Sequence, residues 1–503
     1  MQKTRILNHL LFISKQLPSI FKIGNVSMIR SIIHVSTIAA ILIGISDKAN
    51  AQRCDCKKIY NWTKATFEQK DAGAQYVIQH AGKTAYNKHN ATFAMRIAKT
   101  TDKAICATTI NEWLSFFRKG HLGFYAIEDE NTGKSLKHYP TVDSKIETNF
   151  KIYLDTQKGS MLEGIWESDA YRVGIKNIQG VFTGFILESS NKEWQHGQIK
   201  FTINKDLTGT YYRGDHSATT FKKAELTAGN VLKVDNACFR KVFPETKMNA
   251  NTEFYFESIN SAIPFARKIN NARWYIRLPS FDATQKPLVD SLILALKSEI
   301  TSTKNLIIDI RDNGGGAGKT YNELLPLLYT HPIKTTMWEY YSTPLNNERW
   351  KNWLNNPDVA SEEKPYLRSV CAQLDANIGK FVYIYNKETE IYRQQQSFAN
   401  PVKIAILING GNGSAAEQFL LSARQSWKVK LFGKPTCGVL DISEMNQVKS
   451  PDGNFILFYC LTKSLRLPEY PIDGIGIQPD FYLDDSVGQD EWVNYTNKFF
   501  EGN

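Results

Sequence analysis

At 503 residues the chain is longer than a single hydrophobic core supports, which predicts two or three domains. Its 42% hydrophobic and 12% aromatic content suits a soluble globular protein. Of the formal charge of +11, residues 1–51 carry six basic side chains (Lys3, Arg5, Lys15, Lys22, Arg30, Lys48) against Asp47, leaving a mild +6. No basic block interleaves with aromatics, which argues against nucleic-acid binding.

The first element is a leader. Met28-Ile29-Arg30 is a short basic start, Ser31 to Ile45 is largely apolar, and Ala49-Asn50-Ala51 matches a small-x-small cleavage site. The apolar run is short for a transmembrane span, so export is expected, to the periplasm or beyond, without stable membrane insertion after signal cleavage. Residues before Met28 read as a translation-start artefact or a long leader. Seven cysteines follow, an odd number that cannot all pair within one chain. Cys54-Asp55-Cys56 invites a link from one of its thiols to Cys106, and the cysteine spacings do not make a zinc site.

From about Asn61 to Phe117 the apolar spacing is helical, as in Ala72 to Ala85 and Ile110 to Phe117. Between Leu162 and Val234 short β-type runs take over: Tyr171 to Ile175, Val181 to Leu187, Gln198 to Ile203, Thr208 to Tyr212 and Val231 to Val234. They predict a separate antiparallel module. After about Asn251 strands and helices alternate: strand Trp274 to Leu278, helix Pro287 to Ile300, strand Leu306 to Ile310, helix Tyr321 to Leu328, strand Ile404 to Ile408, helix Ala415 to Ser426 and strand Lys428 to Phe432. That rhythm is α/β. Trp338 to Phe398, polar and aromatic-rich, reads as an insertion near the active face or a covering helical arm.

Two strand-to-helix crossings carry the chemistry. Asn412-Gly413-Ser414-Ala415-Ala416-Glu417 follows an apolar run and precedes an amphipathic stretch, placing the Ser414 hydroxyl at a sheet edge beside helix N–H groups that can hold an oxyanion. Ser414 with Glu417 equally fits the S-x-x-E capping box. The second crossing, Arg311-Asp312-Asn313-Gly314-Gly315-Gly316, lets backbone approach a ligand closely or simply turns tightly. Gly318-Lys319-Thr320 ends like a phosphate-binding loop, but Asn313 stands where the first glycine belongs, so nucleotide hydrolysis is disfavoured. His121 lies between Gly120 and Leu122-Gly123 and supplies an imidazole that either caps a helix or serves as a base. Asp473 precedes Gly474 in a turn and can orient a base; Asp480 reads as a buttress of the final segment.

In order and type these motifs resemble the tail-specific (C-terminal processing) and tricorn-like serine peptidase family. The resemblance rests on Gly120-His121-Leu122, Trp274 to Leu278 with Ser280-Phe281, Asp309 to Gly316, Asn412 to Glu417, Thr436-Cys437-Gly438 and Gly474 to Asp480. The serine-lysine variant places a lysine soon after the T-x-G turn; here Val439 and Leu440 follow. The resemblance therefore implies the histidine-dependent variant: Ser414 as nucleophile, His121 as general base and acid, and Asp473, where the family more often has glutamate, as orienter of the base or its relay. It implies Gly315 and Ala415 as oxyanion donors, with Gly314 as the register alternative, and a crotonase-like (ClpP/crotonase) α/β protease core with an N-terminal helical part and an inserted antiparallel β module. The expected divisions are 1–51 leader and signal peptide, 52–130 helical region carrying His121, 131–250 β-rich module and 251–503 peptidase core. The intervening module has no clear PDZ signature, so selectivity for substrate C-termini is not implied.

The expected function is an exported serine endopeptidase acting on polypeptide, needing neither metal nor organic cofactor, with the oligomeric state left open. The alternative is a noncatalytic ligand- or peptide-binding protein on the same fold. The two separate on whether Ser414 and His121 lie within hydrogen-bond reach or one small side-chain movement.

Overall fold

Apolar runs bounded by glycine and polar turns fold here as parallel strands buried on both faces. The computed structural model describes residues 53–127, 140–143, 149–156, 160–395 and 397–502; the leader and signal peptide expected over 1–51 lie outside them. A six-stranded sheet runs in the order Phe265–Asn270, Arg273–Arg277, Asn305–Asp309, Lys403–Ile408, Val429–Gly433, Phe481–Tyr482. Only its first pair is antiparallel. Strand alternation explains the two cores. Ile404, Ile406 and Ile408 pack with Val289, Ile293 and Phe419, whereas Ala405 and Leu407 pack with Phe432 and Trp492 on the opposite face.

The register of this sheet positions the site. Asp309 pairs with Leu407 in adjacent parallel strands. The loops that follow, 311–316 and 409–414, therefore leave the same edge side by side, at the carboxyl ends where open α/β sheets bind ligands.

The second layer joins distant parts of the chain. Gly123–Ala126 pairs antiparallel with Phe455–Ser464, which also pairs with Ile442–Lys449 and Trp338–Tyr341. The N-terminal helices Cys56–Lys70, Ala74–Ala81, Lys83–Ile97 and Lys103–Leu114 bury Phe67, Ile110 and Trp113 in one cluster with Tyr340, Leu367, Leu457 and Tyr459. The expected helical region and the stretch 338–384 thus share a core. A disulfide joins Cys56 to Cys106 and ties the first helix to the fourth. The third part is a nine-stranded antiparallel sheet spanning Gly164–Glu167 to Ala237–Phe243, with its own core around Trp166, Phe201 and Phe239.

Several elements differ from their sequence readings. The helical periodicity of Ala72 to Ala85 breaks at Gly82, whose φ of 86° belongs to a conformation that glycine adopts without strain. Tyr321 to Leu328 is a 3-10 helix, Gly318–Leu324, passing into a single α-turn, Leu325–Leu328. Trp338 to Phe398 holds helices Pro344–Asn355 and Lys364–Asp375 between short strands. No helix among the described residues is long and apolar enough to cross a membrane.

Candidate active site

Ser414 stands between strand Lys403–Ile408 and helix Ala415–Ala423, with φ 55° and ψ −121°. A non-glycine residue in that region carries strain of roughly 1–3 kcal/mol and persists only where its surroundings hold it. They do. Asn412 donates its side-chain amide to Ile310 O, Asn409 N donates to Asn412 Oδ1 at 2.7 Å, and Cys437 N donates to Asn412 O at 2.8 Å. Ser414 and Glu417 form a capping box, in which Ser414 N–H donates to Glu417 Oε2 at 3.2 Å and the Ser414 side chain faces the Glu417 backbone N–H.

Glu417, read in the sequence only as half of a cap, is the knot of the site. Its buried carboxylate accepts Thr436 Oγ1 at 2.5 Å and Gly438 N at 2.8 Å on Oε1, and Val439 N at 2.9 Å besides Ser414 N on Oε2. Burial pushes its pKa up, against the pull of those donors. Glu417→Ala strands these four donors; at roughly 1 kcal/mol or more each, a loss on the order of 3 kcal/mol or greater is expected in a denaturant titration. Glu417→Gln is expected to rescue little, because each oxygen accepts two donors and an amide NH2 would oppose a pair of them.

Gly315 brings the second loop against the first. A Cβ there would lie 2.6 Å from Gly413 O and 2.7 Å from Ala415 N. Its own N–H donates to Asn313 Oδ1 at 3.0 Å, so it is already engaged. Among the described residues the N–H groups of Gly314 and Ala415 have no acceptor. Beneath the loop, Asp309 is fully buried between Arg311 and Arg277 and accepts Tyr275 Oη at 2.9 Å. Burial pushes its carboxyl up, but the two guanidiniums outweigh it and hold the pKa below the ordinary value.

His121 lies just before strand Gly123–Ala126, with φ 56°. Its carbonyl accepts Arg118 Nη2 at 2.8 Å, and Arg118 is itself clamped by Asp71 at 2.6 and 2.9 Å. Its ring Nδ1 lies 2.8 Å from Ile442 O. A carbonyl only accepts, so Nδ1 carries the hydrogen and the neutral ring presents Nε2 as the base. Burial lowers the ring's pKa and Arg118 adds to this, against the opposing effects of the Ile442 hydrogen bond and Asp473.

Asp473 does not hydrogen-bond the ring. Its carboxylate accepts Leu440 N at 2.5 Å, Asp441 N at 2.7 Å and Ile442 N at 3.3 Å, so it reaches His121 through Ile442. Burial raises its pKa. Asp480 accepts Leu431 N at 2.8 Å and buttresses that strand. The residues preceding Ser414 and His121 meet on one side chain: a Cβ at Gly120 would lie 2.9 Å from Val439 Cγ1, and one at Gly413 would lie 2.8 Å from Val439 Cγ2. Among the described residues no hydrogen bond joins the Ser414 hydroxyl to the His121 ring. Thr320, from the broken phosphate-loop motif, is buried with its hydroxyl 3.4 Å from Asp282 O.

A serine at a strained strand–turn–helix crossing, two amides without an acceptor and an imidazole with Nε2 free are parts that a serine-nucleophile site requires, set here on a mixed α/β fold. Residues 274–483 match Peptidase family S41, and this stretch is a domain of that family. A probable CtpA-like serine protease of Staphylococcus haemolyticus (strain JCSC1435) is 30% identical over 129 residues, 25% of this chain; the match spans about a quarter of that relative's length. Mature CPAF complexed with lactacystin aligns at 13% identity over 88% of this chain and 98% of its own, with a TM-score of 0.49. The photosystem II D1 C-terminal processing protease aligns at 11% identity over 86% and 94%, with a TM-score of 0.35.

Proposed function

We propose that the protein is an exported serine endopeptidase. Ser414 Oγ attacks a peptide carbonyl while His121 Nε2 takes its proton and passes it to the leaving amine; water then hydrolyses the acyl-enzyme with His121 again as base. The single observation carrying this reading is the His121 tautomer, because the Ile442 carbonyl leaves Nε2 as the basic nitrogen. Gly314 and Ala415 are the oxyanion donors in this reading, and Gly315, its N–H engaged by Asn313, serves close approach instead. Asp473 is a positioning residue, holding the backbone whose carbonyl orients the ring.

The parallel strands with both loops at one carboxyl edge support a crotonase-like core. The Cys56–Cys106 disulfide supports export, since such bonds persist in oxidising compartments. The substrate is polypeptide, and the chemistry requires no metal or organic cofactor.

The lowered pKa of His121 sets the pH dependence. The neutral ring is the base, so activity is present above its pKa and falls as pH drops through it. The acidic limb of kcat/KM is expected below the ordinary imidazole value of 6.5; a midpoint above that value would contradict the assignment. The reading as a whole is tested by incubating the protein from residue 52 onward with an unstructured polypeptide and mapping new termini by mass spectrometry. Internal cleavage is expected, and an intact polypeptide would overturn the proposal.

A further inference from the structure

We propose that Lys233 is the positioning residue through which the antiparallel β module sets the glycine-rich loop beside Ser414; this rests on the peptidase reading above. Lys233 lies in the short strand Val231–Val234, between Glu225–Thr227 and Ala237–Phe243. Its Nζ donates to Asp312 Oδ1 at 2.6 Å, with both side chains mostly buried. Asp312 is the second residue of the loop Arg311 to Gly316 and has φ 62°.

Asp312 connects three segments at one carboxylate. Its N–H donates to Asn409 Oδ1 at 2.9 Å, and its Oδ1 accepts Asn409 Nδ2 at 3.1 Å, tying the glycine loop to the turn that carries Ser414. A Cβ at Gly411 would meet the same Oδ1 at 2.6 Å, so the fit is close. Asp312 Oδ2 is buried without a hydrogen-bond partner, and Lys233 is the cation in direct contact with this carboxylate. Burial pushes the Asp312 carboxyl up, and Lys233, Arg277 and the Asn409 hydrogen bond together hold its pKa below the ordinary value. Removing one partner of such a pair leaves an uncompensated buried charge, which the chain relieves by moving.

The contact is not needed merely to dock the module. Lys223 already pairs with Asp485 at 2.9 Å, Gln489 Nε2 donates to Glu225 at 2.5 Å, and Val231 and Cys238 pack on Tyr255. Lys233 alone among these ties ends on the glycine loop, one residue from Asn313, whose side chain holds the Gly315 amide. A change in the module's edge strands would therefore reach the oxyanion donors through this ion pair.

The test uses Lys233→Met, which keeps length and removes charge, Lys233→Arg, which keeps it, and Lys223→Met as a docking control. Hydrogen exchange of peptides covering 311–316 is measured in a Ser414→Ala background, and peptide hydrolysis with Ser414 intact. Lys233→Met is expected to speed exchange in that loop and lower kcat by about 10–100-fold with KM within about twofold. Lys233→Arg recovers most of both, and Lys223→Met changes neither. If Lys233→Met does not fold, Asp312→Asn, which removes the opposite charge of the same pair while leaving an Asn409 contact possible, is expected to give the same loop signature. Unchanged exchange in 311–316, or a loss confined to KM, overturns the proposal. A wild type that cleaves nothing defeats the peptidase reading alone, because exchange still decides the coupling.

Discussion

Ser414→Ala is expected to abolish peptide hydrolysis, lowering kcat by roughly 10⁶-fold, with the fold retained. Retention follows from the backbone half of the capping box. The bond that Glu417 makes is to the Ser414 backbone, which alanine keeps, and loss of a serine cap costs only about 1 kcal/mol. His121→Ala is expected to cost about as much, and the double variant little more, because nucleophile and base act as one unit. A fluorophosphonate probe should label Ser414 in the wild type and lose its target in Ser414→Ala. Equal cleavage by wild type and Ser414→Ala would reject the nucleophile; unchanged cleavage by His121→Ala would reject the base while leaving the serine standing.

Gly315→Ala is expected to lower kcat by roughly 10²–10³-fold, the range seen when one oxyanion donor is lost. The new methyl would sit 2.6 Å from Gly413 O, 2.7 Å from Ala415 N and 2.8 Å from Ser414 Cβ, at a φ of 101° that alanine adopts only under strain. These neighbours are backbone or Ser414 itself, so relief means separating the two loops. Gly318→Ala is the control: its methyl would meet nothing closer than Tyr321 Oη at 3.6 Å, and activity should persist. If Gly315→Ala kept wild-type kcat, the two loops would not need to touch for catalysis.

Local structure was legible wherever one physical pattern dominated. The run Ile404 to Ile408 reads as a buried strand because apolar residues fill both faces, and the structure places strand Lys403–Ile408 there. The serine turn was legible from the abrupt change to small polar residues followed by helical spacing. Gly82 was the only local signal that the helix at 72–85 would break, and apolar periodicity on either side concealed it. Glu417 was noticed for one of its neighbours: its spacing from Ser414 predicts the cap that forms, while its other three donors come from the turn at 436–439.

What orients His121 was out of reach of sequence for a different reason. The ring is held by a main-chain carbonyl, that of Ile442, and every residue has one. Asp473 carried a recognisable side chain, so sequence pointed to it, but its bonds go to the peptides of 440–442. Lys233 is separated from Asp312 by 79 residues and has no motif around it.

By itself, then, the sequence determined the strands and the turns, because burial periodicity and the chemistry of glycine, asparagine and serine act over a few residues. It also placed Ser414 and His121 in the two kinds of turn that present a side chain at an edge. Only the tertiary structure decided which nitrogen of His121 is engaged by a carbonyl, which amides remain unpaired, and which carboxylate ties one loop to another. Those depend on hydrogen bonds between segments distant in sequence, 321 residues apart for His121 and Ile442 and 97 for Asp312 and Asn409, whose partners are set by packing and leave no local pattern.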